Sequence, residues 1–208
     1  MMSYDYTELR RTLLRLRAEQ DPQAMQRGAL LIRGRLFTWL NEYRKRLEEL
    51  NKHHQTLQIA AYWPLENEID LTPLLWQWAA LEGIQLSLPC VTAENSPLAF
   101  KPWNGDTPMK TAAYGIQEPD TEDIAPAPHI MLVPTLGFTR TGDRMGYGKG
   151  YYDRTLAQLQ EQNKEVVTFG IGWATGDLSA HHYTAAEHDQ PLHSVLTDKG
   201  WAVPAPSL

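Results

Sequence analysis

Short apolar runs that alternate with helix-patterned stretches leave this chain few ways to fold. "QTLQIAAYWPLE" (55–66) is an apolar run closed by Pro64, and reads as a buried strand whose carboxyl end opens into a loop. "DLTPLLWQWAALE" (70–82) follows, with an Asp or Thr cap and a proline in its first turn, the start signals of a helix that Gly83 stops. "IQLSLPCV" (84–91) is the next strand. The pattern returns downstream: "HIMLVPTLGF" (129–138) is strand-like, "YYDRTLAQLQEQ" (151–162) helical, "EVVTFGIGW" (165–173) strand-like, and "HSVLTDKG" (193–200) offers a short last strand. Repeated strand-to-helix order of this kind predicts a single three-layer α/β domain, spanning 1–208, with a mostly parallel central sheet flanked by helices. Such sheets hold ligands beyond the carboxyl ends of their strands.

Around that frame the chain is less regular. An N-terminal helical region covers about 4–50: Leu9, Leu13 and Leu16 fall at helical spacing with arginines between them, and 23–50 continues as one long or two shorter amphipathic helices. Residues 92–128 alternate brief extended pieces with Pro/Gly/Asp turns and read as strands or a β-arm with loops over a site; 174–190 is a polar loop.

Composition narrows the function classes. Hydrophobic residues at 42% and charged residues at 21% are proportions of a folded soluble protein rather than a disordered one. No apolar run approaches a membrane span, and Arg10, Arg11, Arg15 and Arg17 interrupt any secretion signal, so a soluble, cytoplasmic, monomeric protein is expected. Cys90 is the single cysteine, which excludes an internal disulfide and thiolate-rich metal sites and leaves it a small core residue. The net charge of -6 is uneven: residues 4–50 hold ten Lys/Arg against seven Asp/Glu, the remainder nine against eighteen. An acidic body does not suit nucleic acid, yet a small anionic ligand remains possible where basic groups converge.

"GDRMGYGKGYYDR" (142–154) is where they converge. Gly142, Gly146, Gly148 and Gly150 permit a loop that turns successive N–H groups inward, and the helix expected from about Gly150 adds its positive end. Arg144 and Lys149 supply charge for the outer phosphates of a nucleoside triphosphate, although Arg144 also suits a structural ion pair. The stretch is neither a G-x-x-x-x-G-K-[ST] loop, because Gly150 follows Lys149, nor a G-x-G-x-x-G dinucleotide loop. The adjacent His181 and His182, with His188 and His193, lack the spacing of zinc motifs.

The complete string "LVPTLGFTRTGDRMGYGKGYYDRTL" closely resembles the signature of the 5-formyltetrahydrofolate cyclo-ligase family, whose usual form is a buried strand followed by F-D-x-x-G-x-R-[LM]-G-x-G-[KG]-G-[YF]-Y-D. Four further ordered blocks are similar to that family: "ELR" (8–10), "YWPLENEID" (62–70), "GIQEP" (115–119) and "AAEHDQPLHSVLT" (185–197). The resemblance implies a three-layer α/β enzyme that uses ATP and Mg2+. In the family, the γ-phosphoryl group of ATP passes to the formyl oxygen of 5-formyltetrahydrofolate, a neighbouring nitrogen attacks the activated carbon, and phosphate leaves as 5,10-methenyltetrahydrofolate forms. Such chemistry needs positioning and charge neutralisation rather than a protein nucleophile.

Carried onto this sequence, the resemblance assigns Arg144, Lys149 and Tyr152 to catalysis. It assigns ATP to Arg10, Arg144, Met145, Gly146, Tyr147, Gly148, Lys149, Gly150, Tyr151 and Tyr152. The reduced folate falls to Arg10, Trp63, Glu68, Tyr147, Gly148, Lys149, Gly150 and Tyr151, and Mg2+ to Asp153 and Asp189. Glu68 offers paired acceptors to pterin N–H groups, and Trp63 either stacks on the pterin or fills the core. Phe100 and Trp103 resemble an aromatic patch of the same pocket, Glu118 a residue that fixes a loop above it or accepts an N–H from a ligand, and His188 a residue orienting the "EHD" block. Three positions depart from the pattern: Tyr6 stands where a phosphate-contacting lysine is expected, Thr139 replaces the common aspartate, and "WATGDLSAHHY" lacks a glutamine common there. A non-catalytic folate- or nucleotide-binding regulator that keeps this pocket is the alternative reading, and a sugar-phosphate isomerase-like enzyme, working without ATP, a more distant one.

Overall fold

Helix capping and apolar spacing set the first two elements. The computed structural model describes residues 6–51, 56–112, 115–186 and 189–206. Helix α1 spans Thr7–Ala18 and α2 spans Pro22–Glu49. The Asp21 carboxylate accepts from the Ala24 N–H at 2.8 Å and Pro22 occupies the first turn, so α2 starts sharply. It then runs unbroken for 28 residues, as one long helix rather than two. Its apolar face, Ile32, Leu36, Leu40, Tyr43 and Leu47, recurs every three or four residues and lies in the largest core cluster.

The strands follow in the expected order. They are β1 (Leu57–Ala60), β2 (Ile84–Cys90) and β3 (Ala99–Trp103), then the short β4 (Met109–Thr111) and β5 (Gln117–Pro119). Next come β6 (Ile130–Pro134), the two-residue β7 (Gly137–Phe138) and β8 (Arg144–Met145), and β9 (Val167–Ile171), β10 (Ser194–Thr197) and β11 (Gly200–Val203). Helix α3 (Thr72–Ala79) lies between β1 and β2, and α4 (Tyr151–Glu161) between β8 and β9. The main sheet has the order β11-β10-β9-β6-β1-β2-β3. Its four central pairings are parallel, while β3 and β11 close the two edges antiparallel.

Alternation along the strands splits the core into two layers. Leu57, Ile59, Ile130, Leu132, Phe169 and Ile171 face α2 and α3, whereas Ala60, Met131 and Val133 pack with Leu156 of α4. A third cluster docks α1, through Leu13, against Leu136, Met145 and Leu178. The irregular 92–128 segment contains the edge strand β3 and the antiparallel pair β4–β5. Strand β11 goes beyond the sequence reading, which ended the last strand at the Thr197–Gly200 turn. Cys90 is a buried, free thiol. Among the described residues no helix is long and apolar enough to cross a membrane.

Leu36 is 1% exposed at the centre of the α2–sheet contact. Leu36→Ala should therefore destabilise the fold by about 2–5 kcal/mol, read as a lowered urea midpoint at unchanged m-value.

Candidate functional site

A cleft of about 1010 Å³ opens where the carboxyl ends of β1, β2 and β6 meet the glycine-rich loop, with Tyr62, Trp63, Pro89, Val91 and Pro134 on its wall. Its volume is at the top of the usual range of about 300–1,000 Å³ for small-molecule sites, enough for two ligands side by side. Arg10, Trp63, Glu68, the whole run Arg144–Asp153 and Asp189 all line it. Tyr6 and Glu118 do too.

The loop is built by short-range constraints. Strands β7 and β8 form a two-residue antiparallel ladder that delivers Arg144 and Met145 to the wall. Gly148 and Gly150 then adopt φ of +90° and +68°, a region costly for side-chain-bearing residues, and Gly150 is the N-cap from which α4 starts. Arginines brace the carbonyls: Arg10 Nε donates to Gly146 O at 3.2 Å, and Arg154 Nη2 donates to Lys149 O at 2.7 Å. Arg154 Nε reaches Ser96 O at 3.2 Å, and its guanidinium lies 5.1 Å from the Tyr151 ring centroid.

Charge inside the cleft is tightly paired. Arg144, with a side chain 5% exposed, donates from Nη2 to Asp153 Oδ1 at 2.7 Å, and its Cζ stands 5.7 Å from the Tyr152 ring centroid. The structural ion pair that the sequence left open for Arg144 is thus formed, and it engages one of the two carboxylates expected to meet a metal. Asp189 Oδ2 accepts from the Ala186 N–H at 2.9 Å. The Tyr152 hydroxyl is buried without a hydrogen-bond partner. Burial, with the charge of Glu68 second, drives its pKa well up, so it is a neutral donor.

Glu68 is held from two sides. Its Oε2 accepts from the Leu65 N–H at 2.8 Å and its Oε1 from the Tyr147 hydroxyl. Tyr147 in turn accepts from Arg17 Nη1 at 2.7 Å. Glu118 is buried with Lys101 and Lys110 at 4.0 and 3.9 Å.

Some expected residues lie elsewhere. Phe100 and Trp103 do not line the cleft: Phe100 packs with Leu156 in the core, and Trp103 lies edge-on between Trp63 and Trp76, with centroids 5.9 and 5.4 Å away. His193 is structural, its Nδ1 2.8 Å from the Thr168 hydroxyl, and His181 and His182 are exposed. His188 lies outside the described residues. Tyr6 is tied to the late loop. Its hydroxyl accepts from the Thr184 N–H at 2.9 Å and donates to Thr184 O at 3.2 Å, while its ring packs 4.9 Å from Tyr183.

Sequence reasoning missed Arg17 and Arg154. Arg17 follows the buried Leu13 by four residues, on the face turned inward, and that position was the available signal. Nothing in the spacing of Arg154 distinguished it from a solvated helix residue.

Residues 3–198 match the model of the 5-formyltetrahydrofolate cyclo-ligase family. The 5-formyltetrahydrofolate cyclo-ligase of Haemophilus influenzae is 30% identical over 155 residues, covering 71% of this chain and 79% of that protein. The enzyme of that name from Escherichia coli K12 is 30% identical over 152 residues, covering 69% and 79%. The NMR structure of Aquifex aeolicus 5,10-methenyltetrahydrofolate synthetase shares the fold with a TM-score of 0.74 at 24% identity, over 97% of this chain and 95% of that one. A 5,10-methenyltetrahydrofolate synthetase from Mycoplasma pneumoniae gives a TM-score of 0.68 at 22% identity, over 94% and 99%.

Burial raises the phenol pKa of Tyr62, Tyr147, Tyr152 and Tyr183. Unfolded phenols ionise near about 10, while the folded ones keep their protons, so this stability is complete below that pH and is lost as pH rises through and beyond it. Tyr152→Phe should therefore lose less stability than the wild type between about pH 9 and about pH 11 in urea titrations. Equal losses would show that the buried hydroxyl does not stay protonated.

Proposed function

The chain belongs to the 5-formyltetrahydrofolate cyclo-ligase family and is an ATP-dependent cyclo-ligase that forms 5,10-methenyltetrahydrofolate; we propose the following division of that work among the residues of its cleft. The observation that carries the assignment is the continuous cavity lined by the glycine loop, Lys149, Glu68 and Tyr152.

ATP lies with its phosphates along Gly146–Gly150, where inward N–H groups, the start of α4 and the Lys149 ammonium face the β- and γ-phosphates. Arg10, already bonded to Gly146 O, holds the loop in that shape. Arg144 acts mainly through its pair with Asp153, which fixes both groups at the root of the loop. The reduced pterin lies against Trp63, with Glu68 accepting its N–H groups.

The formyl oxygen attacks the γ-phosphorus and ADP departs, leaving a carbon made electrophilic by its phosphate ester. The second folate nitrogen adds to that carbon, loses its proton, and the C–O bond to phosphate breaks to give the methenyl bridge. Tyr152 lines the cleft within the influence of both Glu68 and Arg144, at the junction of the two ligands.

Asp153 and Asp189 fit a hard cation, since both place carboxylate oxygens on the cleft wall. Among the described residues no group of three or more His, Cys, Asp or Glu gathers, so the remaining ligands of Mg2+ would be phosphate and water oxygens. Held there, Mg2+ would supply charge neutralisation for the transferring phosphoryl group.

ATP-dependent appearance of the methenyl product, followed by absorbance and abolished by chelating magnesium, tests the assignment. Tight folate binding without turnover at any ATP concentration would favour a binding protein that keeps the pocket. Lys149→Ala should raise KM for ATP by about 10-fold or more while leaving folate affinity within a factor of about 2, from the loss of one charge-assisted contact. Glu68→Gln should weaken folate binding about 10-fold, and ATP binding much less, in equilibrium titrations.

A further inference from the structure

Arg17 is 7% exposed, although it carries a charge and belongs to the last turn of α1. It does not line the ligand cleft; it packs behind its wall beside Tyr62, Glu68, Tyr147 and Trp173. Its Nη1 donates to the Tyr147 hydroxyl at 2.7 Å, and its Cζ stands 5.4 Å from the centroid of the same ring. A guanidinium has donors and no acceptor, so at this contact the phenol oxygen must accept. The one phenol proton is then committed to the remaining neighbour, Glu68 Oε1. The Leu65 N–H occupies the other carboxylate oxygen at 2.8 Å. The direction of every bond in the row Arg17, Tyr147, Glu68 is therefore fixed.

The row joins three elements. Arg17 comes from α1, Tyr147 from the glycine loop, and Glu68 from the segment after β1. Tyr147 occupies the position between two glycines that the signature described above leaves open to any residue, so the row is a property of this sequence rather than of that pattern.

We propose that Arg17 is a positioning residue for the cyclo-ligase reaction: through Tyr147 it aims the Glu68 carboxylate and ties the nucleotide loop to the folate end of the cleft, so that each ligand strengthens binding of the other. This rests on the assignment of the glycine loop to ATP and of Glu68 to the folate. A nucleotide that orders Gly146–Gly150 sets Tyr147, and Tyr147 sets Glu68; the reverse path carries the same coupling, as linkage requires.

The test measures affinity for 5-formyltetrahydrofolate by tryptophan fluorescence, with and without a non-hydrolysable ATP analogue, in full-length protein. Wild type should bind the folate at least about 5-fold more tightly with the analogue present. In Tyr147→Phe and Arg17→Met the enhancement should fall below about 2-fold, and Arg17→Met should raise KM for the folate more than it lowers kcat. Arg17→Lys should restore part of the enhancement, which a role in packing alone does not require. In the double variant Y147F/E68Q the folate affinity should match that of E68Q, because the row acts through that carboxylate. Tyr147→Phe keeps the ring and carries the test if Arg17→Met does not fold. Full enhancement in Tyr147→Phe, or none in wild type, overturns the coupling while leaving the site assignment standing. Unchanged folate affinity in E68Q overturns both.

Discussion

A buried guanidinium must be paired, and the Arg144–Asp153 contact satisfies that requirement at the root of the glycine loop. The pair joins the end of β8 to the first turn of α4 across nine residues, so the intervening chain has to arch between two fixed points. An arch of backbone presents carbonyls as well as N–H groups, and an anion site tolerates only the latter. Arg10 and Arg154 remove the conflict by taking Gly146 O and Lys149 O as acceptors. Two carbonyls of the loop are thereby taken up, and the start of α4 lies at its end. Under the proposed assignment, phosphate binding would depend on which acceptors are occupied as well as on which donors are present.

The same arch explains why the first helix belongs to the site. Leu13 packs α1 against Leu136, Met145 and Leu178, under the β7–β8 hairpin, and this places Tyr6, Arg10 and Arg17 along the loop. The late loop is held from two directions: Tyr183 donates to Arg144 O at 3.0 Å, and Tyr6 bridges both polar groups of the Thr184 backbone. Asp189 therefore sits on a segment referred back to α1 and to the ion pair, although nearly the whole chain separates them in sequence. Removing α1 would unseat the glycine loop and the late loop at once.

The parallel strands were legible because each is an apolar run long enough to show its burial. Pairs β4–β5 and β7–β8 were not, since two or three residues carry no readable period and are fixed by partners distant from the local pattern. The glycine loop was legible as a string, whereas its braces were not. Charge alone does not tell a solvated helix arginine, as Arg11 is, from one buried against a phenol, as Arg17 is, and only its place four residues after Leu13 set Arg17 apart. Phe100 and Trp103 failed for the converse reason: aromatic character marks a residue that packs, and β3 turned both away from the cleft. Trp63, only two or three residues from the same core, reaches the wall because it follows the end of β1.

Two departures from the resembling pattern come apart once their surroundings are known. At Thr139 the missing carboxylate is supplied from Asp143, whose Oδ2 accepts from the hydroxyls of Thr139 and Thr141 at 2.9 and 2.8 Å. The Thr139 hydroxyl also accepts from the Asp143 N–H at 3.1 Å, so the hairpin keeps a carboxylate-centred turn with the acid moved along the chain. Tyr6 is different. Its hydroxyl anchors the late loop, but a phenol brings no positive charge. Under the proposed assignment the phosphate end of the cleft is poorer by one cation than the pattern expects. Under the same assignment, with Asp153 and Asp189 also on the cleft, Lys149 and a divalent ion would carry a larger share of the neutralisation, and nucleotide binding would respond to ionic conditions.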